Sequence, residues 1–130
     1  MTYEELHRDL HETYMKYYVE GFKTDSVELI DKMVKYPIAY INAGCVEMCS
    51  EYPIDPRELK KEKQWDHSTD WKFEITAVNE HSAHAVASAV RRRKDGTKIE
   101  NVHGFYAFTM TDEGWKMFAV ADVTLSLIHI

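Results

Sequence analysis

The stretch Thr109-Met110-Thr111-Asp112-Glu113-Gly114-Trp115-Lys116-Met117 decides the fold: an apolar run stops at three turn-forming residues and restarts on an aromatic. The same punctuation occurs upstream at Lys94-Asp95-Gly96 and at Glu80-His81-Ser82. Between the breaks lie runs of strand length at residues 71–79, 84–93, 98–110 and 115–124. Apolar runs separated by short polar or glycine-bearing breaks are hairpin signals, so the second half reads as a four-stranded antiparallel meander. The first half has helical periodicity instead. Helices followed by a strongly bent antiparallel sheet give one α+β domain with a pocket between the layers.

Residues 3–22 read as a long amphipathic helix. Leu6, Leu10, Tyr14 and Tyr17 form its apolar stripe, and Met15, Tyr18 and Phe22 widen it. A second helix is expected to start at an Asp25 cap, with Glu28 reaching back, and to stop before Pro37. Residues 38–41 and 45–48 then make a short hairpin around Asn42-Ala43-Gly44. The third helix has the firmest local signal. Asp55 is its cap, Pro56 its first residue and Glu58 the reciprocal partner, with Ile54 and Leu59 as a hydrophobic staple and Trp65 as an anchor.

A chain of 130 residues with 45% hydrophobic and 29% charged content has the size and composition of one domain with its own core. Residues 1–124 are read as that domain. The tail, Leu125-Ser126-Leu127-Ile128-His129-Ile130, reads as an in-frame translation of a transposase sequencing adaptor and is set apart from function. The formal charge of −6 argues against nucleic acid, which needs clustered basic side chains. The one basic run, Arg91-Arg92-Arg93-Lys94, reads as a solvated hairpin end. No apolar run approaches the roughly 20 residues that cross a bilayer, and Met1-Thr2-Tyr3-Glu4-Glu5 does not resemble a signal peptide. Cys45 and Cys49 read as reduced thiols, so a cytoplasmic protein is expected. No metal motif, phosphate loop or dinucleotide fingerprint occurs, and no cofactor is expected. The pair His7 and His11, and His81 and His84 around a turn, lack a convergent carboxylate or thiolate and read as exposed.

This order of elements resembles the NTF2-like superfamily. The stretches Arg91-Arg92-Arg93-Lys94-Asp95-Gly96, Phe105-Tyr106-Ala107-Phe108 and Asp112-Glu113-Gly114-Trp115-Lys116-Met117 are similar to its SnoaL-like branch. The resemblance implies a cone-shaped α+β fold, a hydrophobic or aromatic small molecule as ligand, and a homodimer paired through the sheet. It leaves function open, since the frame hosts isomerases, dehydratases, hydrolases, cyclases and inert binding modules. One spacing resembles scytalone-dehydratase-like members: His103 stands twelve residues before Trp115, where they carry a catalytic His. Tyr40 is the nearest match to their first-strand Tyr, and His67 lies near their second His. Phe22 stands where they carry an Asp, which removes the main support for a dehydratase.

Among the residues themselves, His103 and Asp122 are the catalytic candidates, as a base and its orienting carboxylate. They face each other if Asp112-Glu113 is a two-residue loop, with Thr111 paired to Gly114. If Gly114 takes the left-handed position of a bulged loop, Asp122 faces Gly104 and His103 faces Val123. Tyr14, Tyr40, Tyr106, Trp65 and His67 are the ligand-binding candidates, with Tyr14 or Tyr40 as an oxyanion donor. Core packing accounts for most of the other tyrosines. Glu47 could serve as an inward base with raised pKa, but a solvent-facing strand position fits it better. Two functions follow from this reading: small-molecule binding, with cofactor-free isomerase, dehydratase or cyclase chemistry, or a non-catalytic binding and dimerisation module with an inert pocket.

Overall fold

A computed structural model describes residues 1–126. Thr2 caps the first helix, its hydroxyl accepting from the Glu5 N–H at 3.2 Å, and α1 runs Tyr3–Thr13. The rod continues through a π-helical turn, Tyr14–Val19, into α2, Glu20–Lys23. Within the π turn the Glu20 N–H donates to the Met15 carbonyl, five residues back. This turn resets the helix phase. On an α-helix, positions four apart drift by about 40° per step, so Leu6, Leu10, Tyr14, Tyr18 and Phe22 would spiral off one face. The wider turn takes up that drift, and all five are buried. The apolar face therefore continues through Tyr18 and Phe22, while Tyr17 is half-buried and Met15 exposed.

The short helix α3, Val27–Asp31, is capped by Ser26, whose Oγ accepts from Leu29 N–H at 3.2 Å. Asp25 is not the cap. Its backbone lies in the left-handed region, and its carboxylate takes an ion pair from Lys60 instead. Pro37 likewise does not end this helix, which stops at Asp31. Strand β1, Val34–Asn42, runs through the proline with a cis Tyr36–Pro37 bond. β2, Cys45–Cys49, returns around Ala43-Gly44, both at positive φ, the conformation of a tight hairpin turn. The third capping signal holds: Asp55 Oδ1 accepts from Arg57 N–H at 3.0 Å, and α4 runs Pro56–Lys63. Ile54 and Leu59 are both partly buried against the core.

The meander follows as β3, His67–Val78; β4, Ser82–Arg92; β5, Lys98–Thr111; and β6, Gly114–Ser126. The sheet order is β2-β1-β6-β5-β4-β3, antiparallel except where β1 runs parallel beside β6. Register shifts interrupt β3 twice, after Thr69 and after Ile75, and β6 once. Bulges of this kind bend and twist a sheet, and here they curl it around the helices. The fold is therefore α+β, with N-terminal helices packed on a strongly curved, mostly antiparallel sheet. Leu10, Ile30, Met33, Ile38, Phe108 and Met117 form the fully buried centre. Of the expected tail, Leu125 and Ser126 extend β6 opposite Asn101 and Glu100, and residues 127–130 lie outside the described residues.

Candidate functional site

Strand β4 makes the hollow. Ala83, Ala85, Ala87 and Ala89 all point to the helical side, where Ala87 and Ala89 line the hollow, and β5 sets Gly104 opposite Ala87. A sheet face of methyl groups cannot reach the helices, so space remains beneath the Tyr14–Phe22 segment. The resulting cavity has a volume of about 60 Å³. Tyr14, Tyr18, Phe22 and Val120 give it apolar walls, while Arg91, Asp122 and the Tyr106 ring bring polar groups to it. Sites of this type, mostly apolar with a few convergent polar groups, suit small organic ligands.

Four buried phenols, Tyr14, Tyr18, Tyr52 and Tyr106, cluster at its helical end. Tyr14 stacks on Tyr18 at 5.0 Å between centroids and on Phe73 at 3.9 Å, and Tyr18 meets Tyr106 edge-on at 5.5 Å. The Tyr18 and Tyr52 hydroxyls share a hydrogen bond of 2.6 Å. Burial pushes the ionisation of Tyr14, Tyr18 and Tyr52 well above the ordinary phenol range, and neighbouring phenols add to it. Tyr106 is raised mainly by burial; Asp122 pushes it further up, while Arg91 and the Tyr14 and Tyr18 hydroxyls pull it down. All four stay protonated at neutral pH and serve as donors, not bases.

The Tyr106 ring lies across Gly104. A methyl at that glycine would stand 2.8 Å from Tyr106 Oη and 3.0 Å from Cζ, so the missing side chain seats the phenol. Asp122 is the cross-strand partner of Gly104 and lines the same cavity, its Oδ1 accepting from Thr124 Oγ1 at 2.8 Å.

The register explains why His103 does not join it. Thr111 pairs with Gly114, as a regular two-residue loop requires, with Gly114 at φ +101°. Phe108 then pairs with Met117 but Ala107 with Ala119, so Phe118 bulges out and every later residue of β6 changes face. His103 ends opposite Val123, exposed on the outer side of the sheet, while Asp122 faces inward. The two candidates are on opposite faces, and the imidazole has no route to the cavity without unpairing the strand.

Of the other candidates, Tyr14, Tyr106 and Trp65 line the cavity. Tyr40 is on β1 opposite Val120, half-buried outside the lining, with its hydroxyl 3.4 Å from Asn42 Nδ2. Burial, and next the Asp122 charge, raise its pKa. His67 is exposed at the start of β3, hydrogen-bonded to Asp66 at 2.9 Å. Glu47 is exposed on β2. Among the described residues no cluster of His, Cys, Asp or Glu could hold a metal ion, and His81 and His84 are exposed.

Arg91 corrects the sequence reading most sharply. It is not a solvated strand end: only 7% of it is exposed. Its Nη1 donates to Glu100 Oε1 at 2.8 Å, and its guanidinium lies over the Trp65 ring at 4.5 Å. Lys63 closes the group, 2.8 and 2.9 Å from the two Glu100 oxygens. Trp65 is the expected anchor. A left-handed Gln64 turns it in after α4, and its Nε1 donates to Ser68 Oγ at 2.9 Å. The signal for Arg91 was present in the sequence: it has the parity of Ala85, Ala87 and Ala89, the inward set of β4.

No helix among the described residues is long and apolar enough to cross a membrane. None of the curated proteins matches the sequence. Solved structures do match in shape. A conserved protein from Planctomyces limnophilus superposes with a TM-score of 0.66 at 8% identity, over 93% of this chain and 97% of its own. An NTF2-like protein from Cytophaga hutchinsonii gives 0.65 at 12% identity, over 96% and 100%. An NTF2-like protein of unknown function from Silicibacter pomeroyi gives 0.61 at 13%, over 95% and 99%. At these identities the likeness speaks for the fold alone. A sequence-family match covers residues 56–124, the segment holding α4, Trp65, Arg91, Gly104, Tyr106 and Asp122. On that match, which spans more than half of the sequence, the chain belongs to the family described as NTF2-like protein (DUF6841).

Proposed function

We propose that this protein binds a small aromatic or hydrophobic molecule in the cavity between its helices and sheet. The observation that carries this reading is the meeting of Arg91, Asp122 and Tyr106 in a hollow whose other walls are aromatic or aliphatic. A hollow kept only by imperfect packing would not gather a guanidinium, a carboxylate and a phenol. The direct test is a thermal-shift series with phenol, indole and benzyl alcohol. Ligands should raise Tm in the native protein and not in Ala87→Leu, which fills the cavity. Equal shifts in both proteins, or none in either, would reject the reading in favour of an inert module.

A catalytic extension has one specific support, the placement of Asp122. A cavity carboxylate beside protonated phenols is equipped for cofactor-free proton transfer, as in isomerisation, dehydration or cyclisation. In that role Asp122 takes the proton and Tyr106 or Tyr14 donates to the developing oxyanion; His103 has no part in it.

The outer sheet face supports a homodimer. The register lines up Val46, Ile41, Ala121, Phe105 and Val86 in one row across five strands. Val46 is 65% exposed and Phe105 and Val86 each 40%, and Val123 and Phe118 extend the same exposed apolar surface. Surfaces of this kind mark association sites. Phe105→Glu should give a monomer in sedimentation; a native protein already monomeric at high concentration would remove this part of the reading. Cys45 and Cys49, both free, suit a reducing, cytoplasmic setting.

A further inference from the structure

The ligand class can be narrowed from charge and donor count at one end of the cavity. Arg91, Lys63 and Glu100 form a group with two cations and one carboxylate, so it keeps one net positive charge. Glu100 is fully committed, its side chain 6% exposed and shared between both partners. Arg91 is not. Its side chain is 8% exposed and lines the cavity, yet only Nη1 has an acceptor; Nε and Nη2 have none among the described residues. That edge is not sealed: the one buried side-chain polar atom without a partner among the described residues is Trp115 Nε1, so the free Arg91 donors stay open to the cavity, and a guanidinium edge matches the two oxygens of a carboxylate. Stacking on Trp65 holds that edge in place before any ligand arrives.

We propose that the Arg91 end is an acceptor subsite for the carboxylate of a small aromatic acid. The proposal rests on the binding reading above and deepens it. The tyrosine walls supply the preference for a flat ring. The backbone of Arg91 is set opposite Glu100 on β5 and that of Asp122 opposite Gly104, four residues further on, roughly 13 Å along the strand, while both charges act on the Tyr106 phenol. No ion pair joins the two among the described residues. Asp122 and Tyr106 line the same cavity, and a donor substituent on the ring, such as a hydroxyl, would face them.

Calorimetric titration of the full chain with benzoate and with benzamide, equal in size but different in charge, tests this. Benzoate should bind about tenfold tighter or better, the scale of a charge-assisted bidentate contact. In Arg91→Gln that preference should fall to within about threefold, with benzamide affinity kept. Arg91→Lys retains the pairing with Glu100 and guards against a folding failure; it should lose most of the preference, because a point charge lacks the fork. Equal binding of the two compounds to native protein, or a preference that survives in either variant, overturns the proposal while leaving the cavity as a ligand site. No binding of either compound overturns the proposal and the binding reading together.

Discussion

Gly104→Ala is the sharpest single perturbation of the site, because its effect can be worked from two distances. The new methyl would stand 2.8 Å from Tyr106 Oη and 3.0 Å from Cζ, against about 3.4 Å for ordinary contact. The ring must move away by roughly half an ångström, and it is not free to do so. It is 7% exposed and packed against Tyr14, Tyr18 and Phe108. Overpacking of this kind costs about 1–3 kcal/mol. The lost backbone freedom of glycine returns roughly 0.5–1 kcal/mol. The net is a destabilisation of about 1–2 kcal/mol, or roughly 3–8 °C in Tm for a chain of this size. Urea unfolding at matched m-value measures it, and ligand titration should show weakened binding in parallel. Tyr106→Phe placed on the same background removes the 2.8 Å contact and should recover part of the loss. A Gly104→Ala protein as stable as the native one, with unchanged affinity, would refute the claim that the missing side chain seats the phenol.

Three further outcomes follow from the same geometry. Glu100→Ala leaves Arg91 buried without its carboxylate and should cost about 3–5 kcal/mol in denaturant unfolding, whereas Lys63→Ala, at a position 35% exposed, should cost under about 1 kcal/mol. The buried phenols have folded-state pKa values raised above the unfolded value of about 10, so their contribution to stability is full below pH 10. Above it the unfolded chain releases protons that the native one keeps, and stability should fall by about 1.4 kcal/mol per pH unit per buried tyrosine. Tyr18→Phe should flatten that slope; a stability flat from pH 9 to 11 would contradict it. If the protein turns over any substrate by proton transfer, Asp122→Asn should lower kcat by at least about a hundredfold, while His103→Ala leaves it within about twofold. The reverse pattern would move the chemistry to the outer face.

Much of this molecule could be read without coordinates because its signals are local. The turn residues at Lys94-Asp95-Gly96 and Asp112-Glu113-Gly114 bound the last hairpins, and Asp55-Pro56 starts α4, through conformational preferences acting within a few residues. The phenols at Tyr14 and Tyr106 also belong to that record. What tertiary structure decided were the faces and partners that depend on distant packing. One bulge at Phe118 separates His103 from Asp122, because inserting a single residue into a period of two turns over all that follows. A π turn keeps Tyr18 and Phe22 in line with Leu10, a change in helix pitch that supports the packed face and has no short-range cue. Arg91 looked like solvated charge because its compensation comes from Glu100 on β5 and from the Trp65 ring after α4, both on other segments of the chain. A sequence spells out where its backbone turns; whether a charge has a partner is settled only when separated segments meet.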